Sequence, residues 1–134
     1  MQIQELATRS GTTAKTIRYY ESIKLLPAPK RKANGYRDYE ESDVERLKFV
    51  LGARHLDLSL DDIREILDMR DRREAPCRTV LDRMTQKADE IARRILELQE
   101  LESELRQLHT LGLTFPMNDI DGKNCVCHLV SEQS

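Results

Sequence analysis

The sequence predicts a mainly α protein, in which a small helical unit with one hairpin precedes a long helix that pairs with a second chain. Three observations predict this. Short helical patterns separated by turn residues fill residues 1–70, Asn34-Gly35 marks a hairpin among them, and apolar residues three and four apart follow from Cys77 to Leu111. Asn-Gly is a strong hairpin signal, and such spacing over many turns is typical of a coiled coil.

Composition narrows the class of protein. The chain has 134 residues, no Trp and 34% charged residues, which fits one modest aliphatic core plus a long surface helix. No apolar run approaches the roughly 20 residues of a membrane span, and the N-terminal residues do not resemble a signal peptide. Three cysteines, two of them one residue apart, do not form a disulfide framework. We therefore expect a cytoplasmic protein with reduced thiols.

Charge is distributed unevenly along the chain. The net charge is −2, yet residues 1–38 carry eight basic and three acidic side chains. A basic N-terminal region on an otherwise acidic chain indicates contact with a polyanion, although ordinary surface charge is the alternative.

The first two predicted helices cover residues 3–10 and 14–21 and are joined by a tight turn at Gly11. Thr12 or Thr13 is the expected N-cap of the second helix, so the pair is interpreted as a helix-turn-helix. Either Tyr20 or Tyr19 belongs to the inner face of the second helix. The side chains expected to contact phosphates and base edges are Thr13, Lys15, Thr16, Arg18 and Tyr19.

A basic hairpin follows at residues 30–39 and is interpreted as a wing lying along the DNA backbone, with a solvated surface turn as the alternative. Tyr36 and Tyr39 are expected on one side of it. The candidate DNA-binding residues of this segment are Arg31, Lys32, Asn34, Gly35, Tyr36 and Arg37.

A second helix pair completes the predicted DNA-binding domain, residues 1–70. Ser42 with Glu45 forms a capping-box pattern that begins a helix ending near His55, and a second helix begins at Ser59. His55 is interpreted as an ordinary histidine.

A charged linker, residues 71–76, leads to a predicted dimerisation helix at 77–111, with Gly112 as its C-cap. At about 1.5 Å per residue this helix is roughly 50 Å long and cannot bury its own apolar stripe, so it needs a partner, most simply its own copy. The stripe, called the seam below, consists of Cys77, Leu81, Met84, Ala88, Ile91, Ile95, Leu98, Leu101, Leu105 and Leu108.

The cysteines point to an effector site that includes the tail, residues 112–134. If two chains pair antiparallel, Cys77 of one chain comes near Cys125 and Cys127 of the other. Three thiolates suit a soft divalent ion, and Zn²⁺ would need a fourth ligand. The candidates for that ligand are His128, His109, Asp119 and Asp121.

Other interpretations remain open. Cys77 alone fits a small core residue, and Cys125 with Cys127 fits an incidental pair. A thiol-based redox or electrophile sensor uses the same residues. An enzyme is not indicated, because no nucleophile–base arrangement or phosphate loop is present, and a structural adaptor leaves the basic N-terminal region unexplained.

Four segments carry a family resemblance: Thr16–Glu21 (TIRYYE), Leu25–Pro27 (LLP), Tyr36–Tyr39 (YRDY) and Val44–Phe49 (VERLKF). In this order they closely resemble the MerR family of bacterial transcription regulators, with a match over residues 2–111. The resemblance implies a winged helix-turn-helix DNA-binding domain, a helix pair and a long antiparallel coiled-coil dimerisation helix. It also implies a homodimer through residues 77–111 that bends and untwists promoter DNA on effector binding, so that RNA polymerase holoenzyme can open it.

The resemblance also bears on the effector. A Cys at the start of the dimerisation helix, here Cys77, is similar to the divalent sensors for zinc, cadmium, lead or mercury. Monovalent sensors carry a Ser there. Relatives usually have another Cys near residues 110–112, which this chain lacks. The resemblance therefore implies the loop ligands only as a group and not residue by residue. The group consists of Cys125 and Cys127, with His128 beside them.

Overall fold

The structure, a computed structural model, describes residues 1–121 and 124–134. It is mainly helical and divides into two compact units, Met1–Lys87 and Ala88–Ser134. Gly122 and Lys123, which belong to the predicted effector-binding tail, lie outside the described residues. None of the described helices is both long enough and apolar enough to cross a membrane.

The first unit begins with the predicted helix-turn-helix. Helix α1 covers Ile3–Ser10 and helix α2 covers Ala14–Ser22. Gly11 has a φ of 77°, so the left-handed conformation that ends α1 falls on the residue that adopts it without strain. Of the two predicted caps, Thr13 is used, and its Oγ accepts the backbone N–H of Thr16 at 3.2 Å.

The predicted hairpin is confirmed. Strand β1, Lys30–Arg31, pairs antiparallel with strand β2, Arg37–Asp38. The backbone N–H of Gly35 donates to the carbonyl of Lys32 at 2.9 Å, and that of Lys32 donates to the carbonyl of Tyr36 at 2.8 Å. The Lys32–Tyr36 hydrogen bond therefore encloses a three-residue loop. Its last residue, Gly35, has a φ of 85°, the left-handed conformation that glycine adopts in such loops.

The tyrosine prediction for this hairpin is wrong. Tyr36 is 66% exposed, whereas Tyr39 is 4% exposed and lies in the core. Residues three apart in an extended chain point to opposite faces, so these two tyrosines cannot share a side.

The second helix pair consists of α3, Glu41–His55, and α4, Leu60–Asp71. Ser59 caps α4 as predicted, since its Oγ accepts the N–H of Asp62 at 3.0 Å. The cap predicted for α3 is wrong, because the helix begins at Glu41. The Asp43 carboxylate accepts the backbone N–H of Glu40 at 2.8 Å, which completes a capping arrangement two residues before Ser42.

One aliphatic core holds these four helices together. Helix α1 packs against α2 and α3, and α3 packs against α4. Leu25 and Leu26, which follow α2, are buried as well, although their sequence pattern predicts only a break in the helix. The fully buried large side chains of this unit are Leu6, Ile17, Leu25, Leu47, Val50, Ile63, Ile66 and Leu67.

Helix α5 covers Cys77–Gly112, and a short helix α6 covers Val126–Ser131. Gly112 is the last residue of α5 and does not act as a left-handed C-cap. A Cβ at Gly112 would lie 3.3 Å from the Val126 side chain, so glycine at this position permits close packing of α6 on the end of α5. The role predicted for Gly112 is therefore corrected from a cap to a packing contact.

Candidate functional site

The candidate DNA-binding residues of α2 lie on one exposed side of the helix. Ile17 and Tyr20 are buried in the core, which leaves Tyr19 as the exposed tyrosine. Lys15 and Arg18 are exposed. The hydroxyls of Thr13 and Thr16 lie 3.0 Å apart at the N-terminus of α2, where anions are favoured. The helix thus presents donors of the kind that bind phosphates and base edges.

The wing candidates other than Arg37 are exposed, but several of them are also held within the hairpin. The Arg31 guanidinium donates to the carbonyl of Gly35 at 2.8 Å, and the Asn34 side chain accepts the N–H of Tyr36 at 3.1 Å. Lys32 is exposed at the start of the loop. These bonds stiffen the loop, so its basic side chains are presented from a fixed backbone.

A partly buried polar contact joins the wing to α2. The Tyr39 hydroxyl donates to the Glu21 carboxylate at 3.0 Å. Arg37 Nε lies 3.8 Å from the other oxygen of Glu21. Burial of the ring, together with this carboxylate, raises the pKa of Tyr39 well above its usual range. Arg37 is therefore partly engaged inside the protein, and the sequence pattern did not identify Glu21 or Tyr39 as supports of this surface.

Two arginines from the second helix pair hold the C-terminal end of α2. Arg64 donates to the carbonyl of Ile23 at 2.8 Å and faces that of Lys24 at 3.4 Å. Arg46 donates to the carbonyl of Leu25 at 3.1 Å. Carbonyls at a helix end lack helical partners, so these contacts satisfy them and fix α2 against α3 and α4.

The three candidate thiols occupy two kinds of position. Cys77 is the first residue of α5 and is exposed in the first unit. In the second unit, Cys125 is the N-cap of α6 and 9% exposed, whereas Cys127 is exposed in the first turn. The chain turns from an extended Cys125 into the helix, so Cys125 Sγ accepts the N–H of Cys127 at 3.3 Å. That bend is what a Cys-x-Cys pair needs to present both sulfurs to one ion.

A side-chain hydrogen bond with Cys125, followed by electrostatic repulsion from that sulfur, raises the pKa of the Cys127 thiol above its ordinary value. A soft cation would reverse this effect, since it binds thiolates and releases their protons.

The side chains predicted as a fourth metal ligand already have partners within the chain or line another part of the surface. His128 Nε2 lies 3.1 Å from the Glu132 carboxylate. The two oxygens of Asp119 accept the N–H groups of Asp121 and Asn124 at 3.1 and 2.7 Å. His109 lines an open groove on α5 beside Leu101 and Leu105.

Within residues 1–121 and 124–134 of a single chain, no three Cys, His, Asp or Glu side chains lie together as a metal site. The ligand set of Cys77, Cys125, Cys127 and His128 therefore stays a prediction.

Comparison with known proteins gives the chain a family. The sequence-family model "MerR HTH family regulatory protein" matches residues 1–70, and the family model "MerR, DNA binding" matches residues 44–108. The mercuric resistance operon regulatory protein of Bacillus cereus is 39% identical over 107 residues, which are 80% of this chain and 81% of that protein.

Two solved structures cover nearly the whole chain. The lead(II) complex of the transcription regulator PbrR691 from Ralstonia metallidurans CH34 has a TM-score of 0.79 and 31% identity, over 97% of this chain and 98% of that one. The mercury(II) complex of the dual function transcriptional regulator MerR from Bacillus megaterium MB1 has a TM-score of 0.67 and 32% identity, over 98% and 99%. With the winged helix-turn-helix and the long helix described above, these matches show that the chain belongs to the MerR family of transcriptional regulators.

Proposed function

We propose that this regulator binds promoter DNA as a homodimer and responds to a soft divalent metal ion, such as zinc, cadmium, lead or mercury, by activating resistance or efflux genes. The observation that carries the proposal is the placement of the three thiols. One is exposed at the first residue of α5, and two lie at the N-cap and in the first turn of α6, which packs against the end of α5.

Dimerisation is supported by the exposure of the seam. In the single chain seven of its large apolar residues are 42% to 65% exposed: Leu81, Met84, Ile91, Ile95, Leu98, Leu101 and Leu105. An exposed apolar row of this length is typical of a helix that packs against another chain. Antiparallel pairing would bring Cys77 of one chain toward Cys125 and Cys127 of the other.

A metal effector is supported by the donor set and by the relatives. Thiolates prefer soft ions, and three of them from two chains suit mercury or lead, with His128 or another side chain added for zinc. The relatives described above include a mercuric resistance regulator and regulators in complex with lead(II) and with mercury(II). The ion would supply bonds that join the start of α5 in one chain to the tail of its partner.

A response requires that the dimer have two states that bind the ion unequally. Ligation across two chains would make the two states bind the ion unequally, because only one arrangement of the dimer brings the ligands of both chains together. We propose that the favoured state distorts the promoter for RNA polymerase holoenzyme in the cytoplasm, with the exposed side of α2 and the wing holding the DNA.

A thiol-based redox or electrophile sensor is the second candidate, favoured by the exposure of Cys77 and Cys127. Native mass spectrometry of the purified protein separates the two. We expect each dimer to retain a fixed number of zinc, cadmium, lead or mercury ions, and a reporter driven by its promoter to respond to the same ion. A disulfide or adduct without bound metal, together with a reporter that answers only to oxidants, would contradict the metal proposal.

Arg18→Ala should weaken binding of the promoter by about 1–3 kcal/mol, which is roughly five- to 150-fold, because Arg18 is an exposed donor on α2. Gel-shift titration measures this, and metal stoichiometry should stay unchanged. Lys48→Ala is the matched control, since it removes an exposed positive charge from α3. Equal promoter affinity for Arg18→Ala and the unmodified protein would remove Arg18 from the DNA surface.

A further inference from the structure

The first turns of α5 carry two different rows of side chains. The seam residues Leu81 and Met84 are exposed. On a neighbouring side of the same turns, Arg83 and Lys87 lie against acidic residues of the first unit, with side chains 25% and 16% exposed. One row is therefore available to a second chain, while the other is engaged with the DNA-binding helices.

Arg83 bridges two carboxylates of α4. Its Nη2 atom donates to Glu65 Oε2 at 2.8 Å, and its Nε atom lies 3.3 Å from Asp62 Oδ1. The Nη1 atom donates to Gln86 Oε1 at 3.0 Å, which orients the guanidinium from within α5. One hydrogen bond and one ion pair therefore join this guanidinium to α4 and oppose rotation of the first turns of α5.

Lys87 provides a second contact one turn later. Its Nζ atom lies 3.6 Å from Asp57, in the turn between α3 and α4. The two cations therefore hold the first turns of α5 at two points of the first unit.

Helix α4 connects these contacts to the DNA-binding surface. Arg64, next to Glu65 in sequence, donates to the carbonyl at the end of α2. Helix α4 thus holds α5 through Asp62 and Glu65 and holds α2 through Arg64. The first turns of α5 and the DNA-contacting helix are therefore both held by one element, α4.

We propose that Arg83, together with Lys87, is a positioning residue that sets which separation of DNA half-sites the dimer accepts. The inference rests on the dimeric DNA binding proposed above and is independent of the metal. Inserting one base pair moves a half-site by about 3.4 Å and turns it by roughly 35°. A dimer with firmly held DNA-binding units rejects that change, whereas one with a loosened α4–α5 contact accommodates it.

The test uses the full-length protein without metal and a duplex that this protein selects from random sequences. Affinities are measured for that duplex, for versions with one base pair added or removed between the half-sites, and for a single half-site. We expect the unmodified protein to prefer the selected spacing by about tenfold or more, and the variant carrying Arg83→Gln and Lys87→Gln to prefer it by less than about threefold. The single half-site should bind both proteins equally.

Three further variants separate positioning from general stability. Arg72→Gln removes an ion pair with Glu74, two residues away, that does not connect one helix to another. This variant should keep the preference for the selected spacing. Arg83→Glu should lose the preference for the selected spacing. Adding Glu65→Arg to that variant should restore the preference, because it rebuilds the ion pair with the two charges exchanged. A variant without Arg83 and Lys87 that keeps the full preference, or loses affinity for every duplex alike, would overturn the inference.

Discussion

Replacing Ile95 by Glu should convert the protein to a monomer at micromolar concentration and reduce promoter affinity by two orders of magnitude or more. Ile95 is a seam residue, is 50% exposed in the single chain and lies at the middle of α5, where fraying of the helix ends cannot relieve a misfit. Enclosing a carboxylate in an apolar interface costs several kcal/mol for each chain, and each 1.4 kcal/mol is about tenfold in the dissociation constant. Sedimentation measures the mass, and gel shift measures the affinity.

The neighbouring residue provides a close control. Leu96 is 60% exposed on the same helix but lies outside the seam. Leu96→Glu adds the same carboxylate one position away, so it should leave a dimer with normal promoter affinity. A dimer that survives Ile95→Glu, or one that Leu96→Glu disrupts equally, would show that another surface joins the chains.

Replacing Cys77 by Ser should abolish the transcriptional response to divalent metal while promoter affinity stays within about threefold. Serine has nearly the same size but is a poor ligand for soft ions, so a three-sulfur site would lose one of its strongest bonds. Because Cys77 is exposed, its replacement should hardly change the melting temperature. Reporter induction, metal stoichiometry and gel shift give the three readouts.

The other two cysteines test whether the loss is specific to ligation. Cys125 caps α6 through its sulfur, and Ser is a favourable N-cap, so Cys125→Ser should keep α6 folded while removing a thiolate. Cys127→Ser should behave in the same way. A full response by Cys77→Ser to every divalent ion tested would exclude Cys77 from the effector site.

Much of the DNA-binding unit was predictable because its signals are local. Gly11 ends α1, Thr13 caps α2, and Gly35 closes the hairpin, and each acts on backbone within a few residues. The exposed side of α2 follows from its helical period, which left only the choice between Tyr19 and Tyr20 open. That choice depended on which ring the α1–α3 core could accept.

The start of α3 and the role of Gly112 were predicted wrongly. In the first case two local capping patterns competed, and in the second case tertiary packing determined the role of the residue. Ser42 and Asp43 both suit the start of a helix, and the Asp43 carboxylate reached Glu40 and moved the start two residues earlier. Gly112 suits a C-cap, yet Val126, fourteen residues later, uses the missing side chain as packing space. No local signal distinguishes these outcomes.

By itself, the sequence determined the kinds of element, their order, the seam and the three thiols, since these depend on residue type and spacing along one chain. Only the tertiary structure decided which groups hold those elements together. Glu21 with Tyr39, Arg64 with the end of α2, and Arg83 with α4 join residues 18 to 41 positions apart. Charged side chains at such distances follow no period, because their partners are chosen by how the aliphatic core orients the helices. The contacts that position the DNA-binding surface therefore became visible only once the core was assembled.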